Sequence, residues 1–210
     1  MKTLLLALAL LAGAGAAQAQ VSKFGFAMGV GMAPMRSTIA EQANPYGYSG
    51  IQPGYVLNTY DVNLLLLNLN VSFDAPLWQF AGGSQALGVS LNAGAGLLAT
   101  MRQDVDGFNK QPVLDFPQYV TYRYGAKATK HAKQLFGVGV GAGYRFSKFF
   151  LPFNSPSVML EGVWSTSDSD WYLRLSGDLR ARRFYTYYSS EGPVESLRIQ
   201  EFNLLIGKSF

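Results

Sequence analysis

One segment of the chain, residues 135–146, strongly limits what the protein can fold into, because it alternates glycine with larger side chains. It reads LFGVGVGAGYRF, and its glycines are Gly137, Gly139, Gly141 and Gly143. Glycine is a poor helix former and the repeat is two residues instead of 3.6, so the pattern predicts a β-strand. One face of that strand carries Phe136, Val138 and Val140 and the other is nearly bare. Glycine inside a strand costs about 0.5–1 kcal/mol relative to alanine, so a whole face of glycine needs a structural reason.

The same two-residue period recurs along the chain and predicts eight strands. Residues 23–32 and 86–101 repeat the glycine pattern, whereas residues 64–73 and 171–182 place Asn, Ser, Asp or Arg where the others have glycine. The predicted strands span residues 22–32, 58–73, 86–102, 118–126, 134–146, 156–165, 171–185 and 196–210. The pattern leaves open whether the chain forms eight strands or ten.

The residues on the second face of these strands distinguish between two possible architectures. In a soluble sandwich or barrel the apolar face points inward, and the other face carries polar side chains toward water. In a membrane barrel the apolar face meets lipid, and small residues on the second face leave room inside a narrow lumen. The glycine rows favour the second architecture. We therefore predict an all-β fold, an eight-stranded antiparallel up-and-down transmembrane β-barrel.

Charged residues on the second face are predicted to form a polar cluster in the lumen. Its predicted members are Arg123, Arg145, Glu161, Arg174, Asp178 and Arg180. Eight strands enclose a space that side chains can fill. The cluster is therefore predicted to plug the lumen, with a gated pore as the alternative.

The first 19 residues predict a secretory signal peptide. Lys2 precedes an apolar run over residues 4–12, and Ala17, Gln18 and Ala19 form a small-residue cleavage site. The predicted barrel domain is residues 20–210. Cysteine is absent, which excludes disulfides and thiolate metal ligands. The net charge of +4 is spread along the chain without a basic patch that would indicate nucleic-acid binding.

The signal peptide, the eight alternating segments and the terminal Phe210 resemble the small outer-membrane β-barrel proteins of Gram-negative bacteria, the group similar to the OmpA transmembrane barrel and OmpX. The resemblance implies a location in the cell outer membrane, with lipid around the barrel and both termini in the periplasm. It also implies that the barrel assembly machinery recognises the C-terminal strand. Residues 33–57, 103–117, 147–155 and 186–195 would then be extracellular, and the loop 33–57 could bind an extracellular partner. Lys208 departs from the apolar residue that is usual at its position.

Candidates for catalysis are scarce. His131 is the only histidine, which excludes sites built from several histidines. Outer-membrane lipid A acyltransferases and deacylases and the omptin-like proteases resemble this architecture and rely on a histidine toward the outer face. His131 instead falls in a predicted periplasmic turn. We predict no catalytic residue, cofactor or metal.

The predicted role is therefore structural, or an interaction at the cell surface. The alternatives are a barrel that transports small solutes or hydrophobic compounds, an outer-membrane enzyme acting on lipid A or peptides, and a soluble secreted β protein.

Overall fold

A computed structural model describes residues 22–42, 55–100, 111–129, 132–148, 152–187 and 194–210. The predicted signal peptide and His131 lie outside the described residues. No helix in these ranges is long and apolar enough to span a membrane.

Ten strands make up the described fold. They are β1 (Lys23–Gln42), β2 (Tyr55–Phe80), β3 (Gln85–Thr100), β4 (Gln111–Gly125), β5 (Phe136–Lys148), β6 (Pro152–Ser165), β7 (Asp170–Asp178), β8 (Arg182–Tyr187), β9 (Val194–Ile199) and β10 (Phe202–Ser209). A short 3₁₀ helix, Ala81–Gly83, joins β2 to β3, and Gly82 in it has a φ of 64°, which glycine adopts without strain.

Eight of the strands close into a ring. Strands β1 to β7 are each paired antiparallel with the next, and β10 joins β7 to β1. Met28 on β1, for example, lies opposite Ile206 on β10 and opposite Leu69 on β2. The predicted eight-stranded antiparallel barrel is confirmed. Strand β9 pairs with β1 beyond the ring, and β8 pairs with β9.

The two ends of the barrel differ. At one end, here called the turn end, residues 81–84 and 166–169 connect neighbouring strands, residues 126–129 follow β4, and Phe210 lies beside Phe24. At the other, here called the loop end, β1 and β2 continue as a paired ribbon well beyond the ring.

The strands run further than the sequence pattern predicts. Strand β1 continues to Gln42 and β2 begins at Tyr55, so residues 33–42 and 55–57 of the predicted loop 33–57 are strand, and its residues 43–54 lie outside the described residues. Strands β4, β5, β6, β8 and β9 likewise extend into the predicted connections 103–117, 147–155 and 186–195. At the loop end the inward side chains include the apolar Met35 and Val62 and the outward ones include the charged Arg36 and Asp61. The contrast between an apolar and a polar face is therefore weaker there, although backbone pairing continues.

The last two predicted strands are each interrupted. Segment 171–185 divides into β7 and β8 around residues 179–181, and segment 196–210 divides into β9 and β10 at residues 200–201. Both breaks lie at the same level, because the β7 and β10 pairing ends where Asp178 N–H donates to Glu201 O at 2.9 Å. Between the pair Gly177 and Phe202 and the pair Arg182 and Ile199, the segment that follows β7 has two more residues than the segment that precedes β10. The register of the β8 and β9 pair is therefore shifted by two residues relative to the β7 and β10 pair.

The outer surface of the ring is a continuous apolar band. Phe136 is 75% exposed and Val138 is 56% exposed, and outward side chains of the other strands are similar. At the turn end the band is edged by aromatic rings, where Trp164 and Trp171 stack with centroids 6.4 Å apart. Lys208 lies in this edge, with its ammonium 5.0 Å from the Phe210 ring centroid. An apolar exterior of this kind suits acyl chains, with aromatics at the interface.

Candidate functional site in the polar lumen

Alternation along the strands places charged side chains inside the ring, where they are almost completely buried. Glu161 on β6 is 0% exposed, Arg174 on β7 is 1% exposed and Arg123 on β4 is 4% exposed. Charges buried this deeply persist only when they are paired and hydrogen-bonded.

Glu161 is the centre of a network here called the turn-end cluster, which consists of Asp74, Arg123, Lys127, Glu161 and Arg174. Its carboxylate accepts from Arg123 Nε at 3.1 Å and from Lys127 Nζ at 3.3 Å. Arg174 donates to the same carboxylate through Nε at 2.9 Å and through Nη2 at 2.6 Å. One carboxylate thus holds three cations from three parts of the chain.

Asp74 is the second carboxylate of the turn-end cluster. It accepts from Arg123 Nη2 at 2.8 Å and pairs with Lys127 Nζ at 2.9 Å. Arg174 reaches Asn92 Oδ1 with Nη1 at 2.5 Å, and Lys127 Nζ lies 3.9 Å from the centroid of the Tyr172 ring. Three cations and two carboxylates give this cluster a net charge of +1. It spans the interior from β2 and β4 to β6 and β7.

A second network, here called the loop-end cluster, consists of Asp115, Arg145, Asp178, Arg182 and Glu201. Arg145 is its centre and is fully buried, at 3.4 Å from Asp115, 3.5 Å from Glu201 and 3.7 Å from Asp178. Arg182 lies 3.9 Å from Asp178. Three carboxylates and two cations give a formal net charge of −1, opposite in sign to that of the turn-end cluster. The ion pairs are longer here, so this network is looser.

Buried apolar side chains line the remaining wall at the loop end. They are Ala33, Met35, Val62, Leu64, Leu66, Leu98, Val113 and Ile199. The run of four leucines at 64–67 is the sequence signal for this lining, because both faces of the strand are apolar there. The lumen is therefore ionic toward the turn end, and partly apolar toward the loop end.

The glycine faces provide the space that these networks occupy. A Cβ atom at Gly139 would lie 3.2 Å from Arg123 Cγ and 3.5 Å from Glu161 Cβ. At Gly207 a Cβ would lie 2.5 Å from Cζ of Tyr172, which is closer than side chains tolerate. At these two positions large side chains from neighbouring strands occupy the space that a Cβ atom would need.

Five of the six predicted lumen residues lie inside the barrel, but in two separate clusters. Arg123, Glu161 and Arg174 meet in the turn-end cluster, whereas Arg145 and Asp178 belong to the loop-end cluster. The prediction that Arg180 belongs to a buried lumen cluster is wrong, because its side chain is exposed and lines the cleft described below. The interruption at residues 179–181 breaks the alternation on which that prediction rested.

The predicted lumen set lacks five charged members of the two clusters, which are Asp74, Asp115, Lys127, Arg182 and Glu201. Asp74 continues the inward series of Asn70 and Ser72 one step past the predicted strand end, so a longer strand would have included it. Asp115 similarly precedes the predicted start of its strand, beyond Pro117. Lys127 lies just past the end of β4, whereas Glu201 lies between β9 and β10, inside a segment that the sequence predicts as one strand. Arg182 begins β8, beyond the interruption at residues 179–181.

A cleft opens in the barrel wall at the loop end, between β6 and β8. Strand β6 pairs with β7 up to Leu179, whose N–H donates to Pro156 O at 2.9 Å. Above that point β8 pairs with β9 and turns away from β6. The cleft has a volume of about 760 Å³. Its lining includes Asn154, Arg180, Arg182, Arg183 and Arg198.

The sequence matches no protein-family model and no curated protein. Solved structures with a similar fold include the outer membrane protein OprG from Pseudomonas aeruginosa, with 12% identity and a TM-score of 0.50 over 91% of this chain and 97% of that one. The outer membrane protease OmpT from Escherichia coli has 8% identity and a TM-score of 0.42 over 90% of this chain and 96% of that one. At such identities the likeness concerns the fold alone.

The closed ring of eight strands, the apolar exterior and the charged, glycine-lined interior define this class of protein. The chain is an outer-membrane β-barrel. Its glycine rows face inward and its apolar side chains face lipid.

Proposed function

We propose that this barrel does not conduct through its lumen, and that it serves a structural role or an interaction at the cell surface. The observation that carries the proposal is the turn-end cluster. Every charged member of it is at most 4% exposed, and the two carboxylates together pair with all three cations. A solute crossing the lumen would have to separate these buried ion pairs, which is costly in a low-dielectric interior.

Conductance across planar lipid bilayers tests this proposal. The wild-type barrel is expected to show no steady channel steps in 1 M KCl. A variant with Glu161→Ala and Arg174→Ala, which removes the centre of the cluster, serves as the positive control and is expected to conduct. A folded wild-type barrel that conducts as well as this variant would contradict the proposal.

A second candidate function is sideways movement of apolar compounds between the loop end of the lumen and the membrane. The apolar lining around Leu66 and Leu98 favours it, and the cleft between β6 and β8 would be the opening toward the membrane. Transfer of a lipophilic fluorescent probe into liposomes would measure this activity. Leu66→Gln together with Leu98→Gln is expected to slow the transfer if the apolar lining is the route. If the probe entered liposomes without protein as fast as liposomes that contain the barrel, this candidate function would be contradicted.

The proposal includes three kinds of partner. Outer-membrane lipid surrounds the apolar band, the barrel assembly machinery engages the C-terminal strand that ends at Phe210, and an extracellular partner binds through residues 33–57. We also propose that the barrel is related to the group of the OmpA transmembrane barrel and OmpX. Pull-down of the assembly machinery with Phe210→Ala as the comparison tests the second partner.

We also propose that the barrel is not an enzyme. The competing hypothesis is an enzyme acting on lipid A or peptides with His131 as its base. Hydrolysis or acyl transfer by purified protein that is abolished in His131→Ala would support that hypothesis against ours.

A further inference from the structure

Three arginine side chains lie at one level on the outer face of neighbouring strands, and together they are here called the arginine row. Arg36 on β1 lies opposite Arg198 on β9, which in turn lies opposite Arg183 on β8. All three side chains are exposed. Residues directly opposite on antiparallel strands have Cβ atoms about 4.5–5.5 Å apart, where like charges repel. The row therefore concentrates positive charge, and the repulsion within it lowers the stability of the fold.

One carboxylate compensates one end of the arginine row. Asp61 on β2 accepts from Arg36 Nε at 2.7 Å and from Nη2 at 3.0 Å. Within the described ranges Arg183 and Arg198 form no ion pair. The row with Asp61 thus keeps a net charge of +2, and the exposed Arg180 adds to it at the edge of the cleft.

The arginine row lies immediately beyond the apolar band. On β1 the outward series runs from Met32 through Pro34 to Arg36, and from β9 to β10 it runs from Arg198 to the exposed Phe202. Four residues span about 13 Å along a strand. The corresponding height along the barrel axis is smaller, because the strands of a barrel are tilted. The guanidinium groups therefore lie at the level expected for lipid headgroups, next to side chains that face the acyl chains.

An amphiphile with acyl chains and phosphate groups matches this arrangement. Its chains would cover the band around Met32 and Phe202, and its phosphates would reach the arginine row. Guanidinium binds phosphate through paired N–H donors, with greater strength than neutral hydrogen bonds. We propose that the arginine row binds the phosphate groups of a phosphorylated glycolipid of the outer leaflet. A soluble polyanion would use the charges but leave the adjoining apolar surface unused.

Binding of lipid A to the purified full-length barrel in detergent, followed by native mass spectrometry, tests the proposal. Each neutralisation, Arg183→Gln or Arg198→Gln, is expected to weaken binding of diphosphorylated lipid A about fivefold, and the double variant about 25-fold. Asp61→Asn frees Arg36 and is expected to strengthen binding about fivefold. Lys148→Gln is the matched control, since Lys148 is exposed at the end of β5, on the far side of the ring, and its loss should change binding less than twofold.

Two further measurements identify the ligand. Lipid A without phosphates is expected to bind the wild-type barrel weakly. Its affinity should be no higher than that of diphosphorylated lipid A for the double variant. A sulfated oligosaccharide without acyl chains should bind at least tenfold more weakly than diphosphorylated lipid A. Equal binding of that oligosaccharide would assign the row to soluble polyanions and overturn the proposal. So would unchanged lipid A binding by a double variant whose heat-dependent gel shift shows it to be folded.

Discussion

Replacing Glu161 by glutamine tests whether the ionic interior holds the barrel together. The substitution keeps the size of the side chain but removes the negative charge that Arg123, Lys127 and Arg174 share. The turn-end cluster then changes from a net charge of +1 to +2, with Asp74 as its remaining carboxylate. Removing one partner from a buried ion pair costs about 3–5 kcal/mol, because the other partner is left buried and uncompensated. We expect Glu161→Gln to lower the free energy of unfolding by that amount.

Urea unfolding of the barrel, folded into lipid vesicles, measures this change through the gel shift between folded and heated forms. Asp168→Asn is the control, since it removes the same charge from an exposed position in the turn between β6 and β7. Its effect should stay within about 0.5 kcal/mol. A Glu161→Gln barrel as stable as this control would refute the reasoning.

A second substitution separates charge balance from the loss of hydrogen bonds. Lys127→Met combined with Glu161→Gln returns the cluster to a net charge of +1. The double variant is expected to lose about 1–3 kcal/mol less than the sum of the two single variants. Strict additivity would show that charge balance does not govern the stability of the cluster.

Three further predictions concern packing, lipid contact and charge. Gly139→Val should lose about 1–3 kcal/mol by overpacking the lumen, while Gly162→Val, where an added Cβ meets nothing within 4 Å, should be nearly neutral in the same urea unfolding. Val140→Arg, in the apolar band, should cost about 2–4 kcal/mol in vesicles, and no loss there would contradict the lipid-facing assignment. The pKa of Asp61 lies below its usual value because Arg36 donates hydrogen bonds to it, so this pairing is lost as the pH falls through that lowered pKa. Carboxyl NMR titration should show the pKa rising toward 3.8 in Arg36→Gln, and an unchanged pKa would dismiss the pairing.

The sequence predicts the orientation of most side chains well, because the two-residue period is a local property of each strand. The inward positions of Arg123 and Glu161 and the outward positions of Val138 and Leu175 follow directly from the alternation. The prediction for Arg180 is wrong because the strand is interrupted just before it, and nothing in the local pattern marks the interruption.

The partners of these side chains could not be read from the sequence. Arg123 meets Asp74 from 49 positions away, and Arg174 meets Asn92 from 82 positions away. Such contacts depend on strand register and on closure of the ring, which are set by pairing between distant segments. The same holds for the arginine row, which brings Arg36 near the start of the chain beside Arg198 and Arg183 near its end.

The amino-acid sequence by itself therefore determined where most of the strands run, which of their sides face lipid and which small or charged sides face the lumen. Only the tertiary structure decided that the inward charges form two oppositely charged clusters, that the wall parts between β6 and β8, and that three arginines stand in line above the apolar band. The physical reason is that alternation is encoded residue by residue, whereas contacts across the lumen and between strands exist only after the ring has closed.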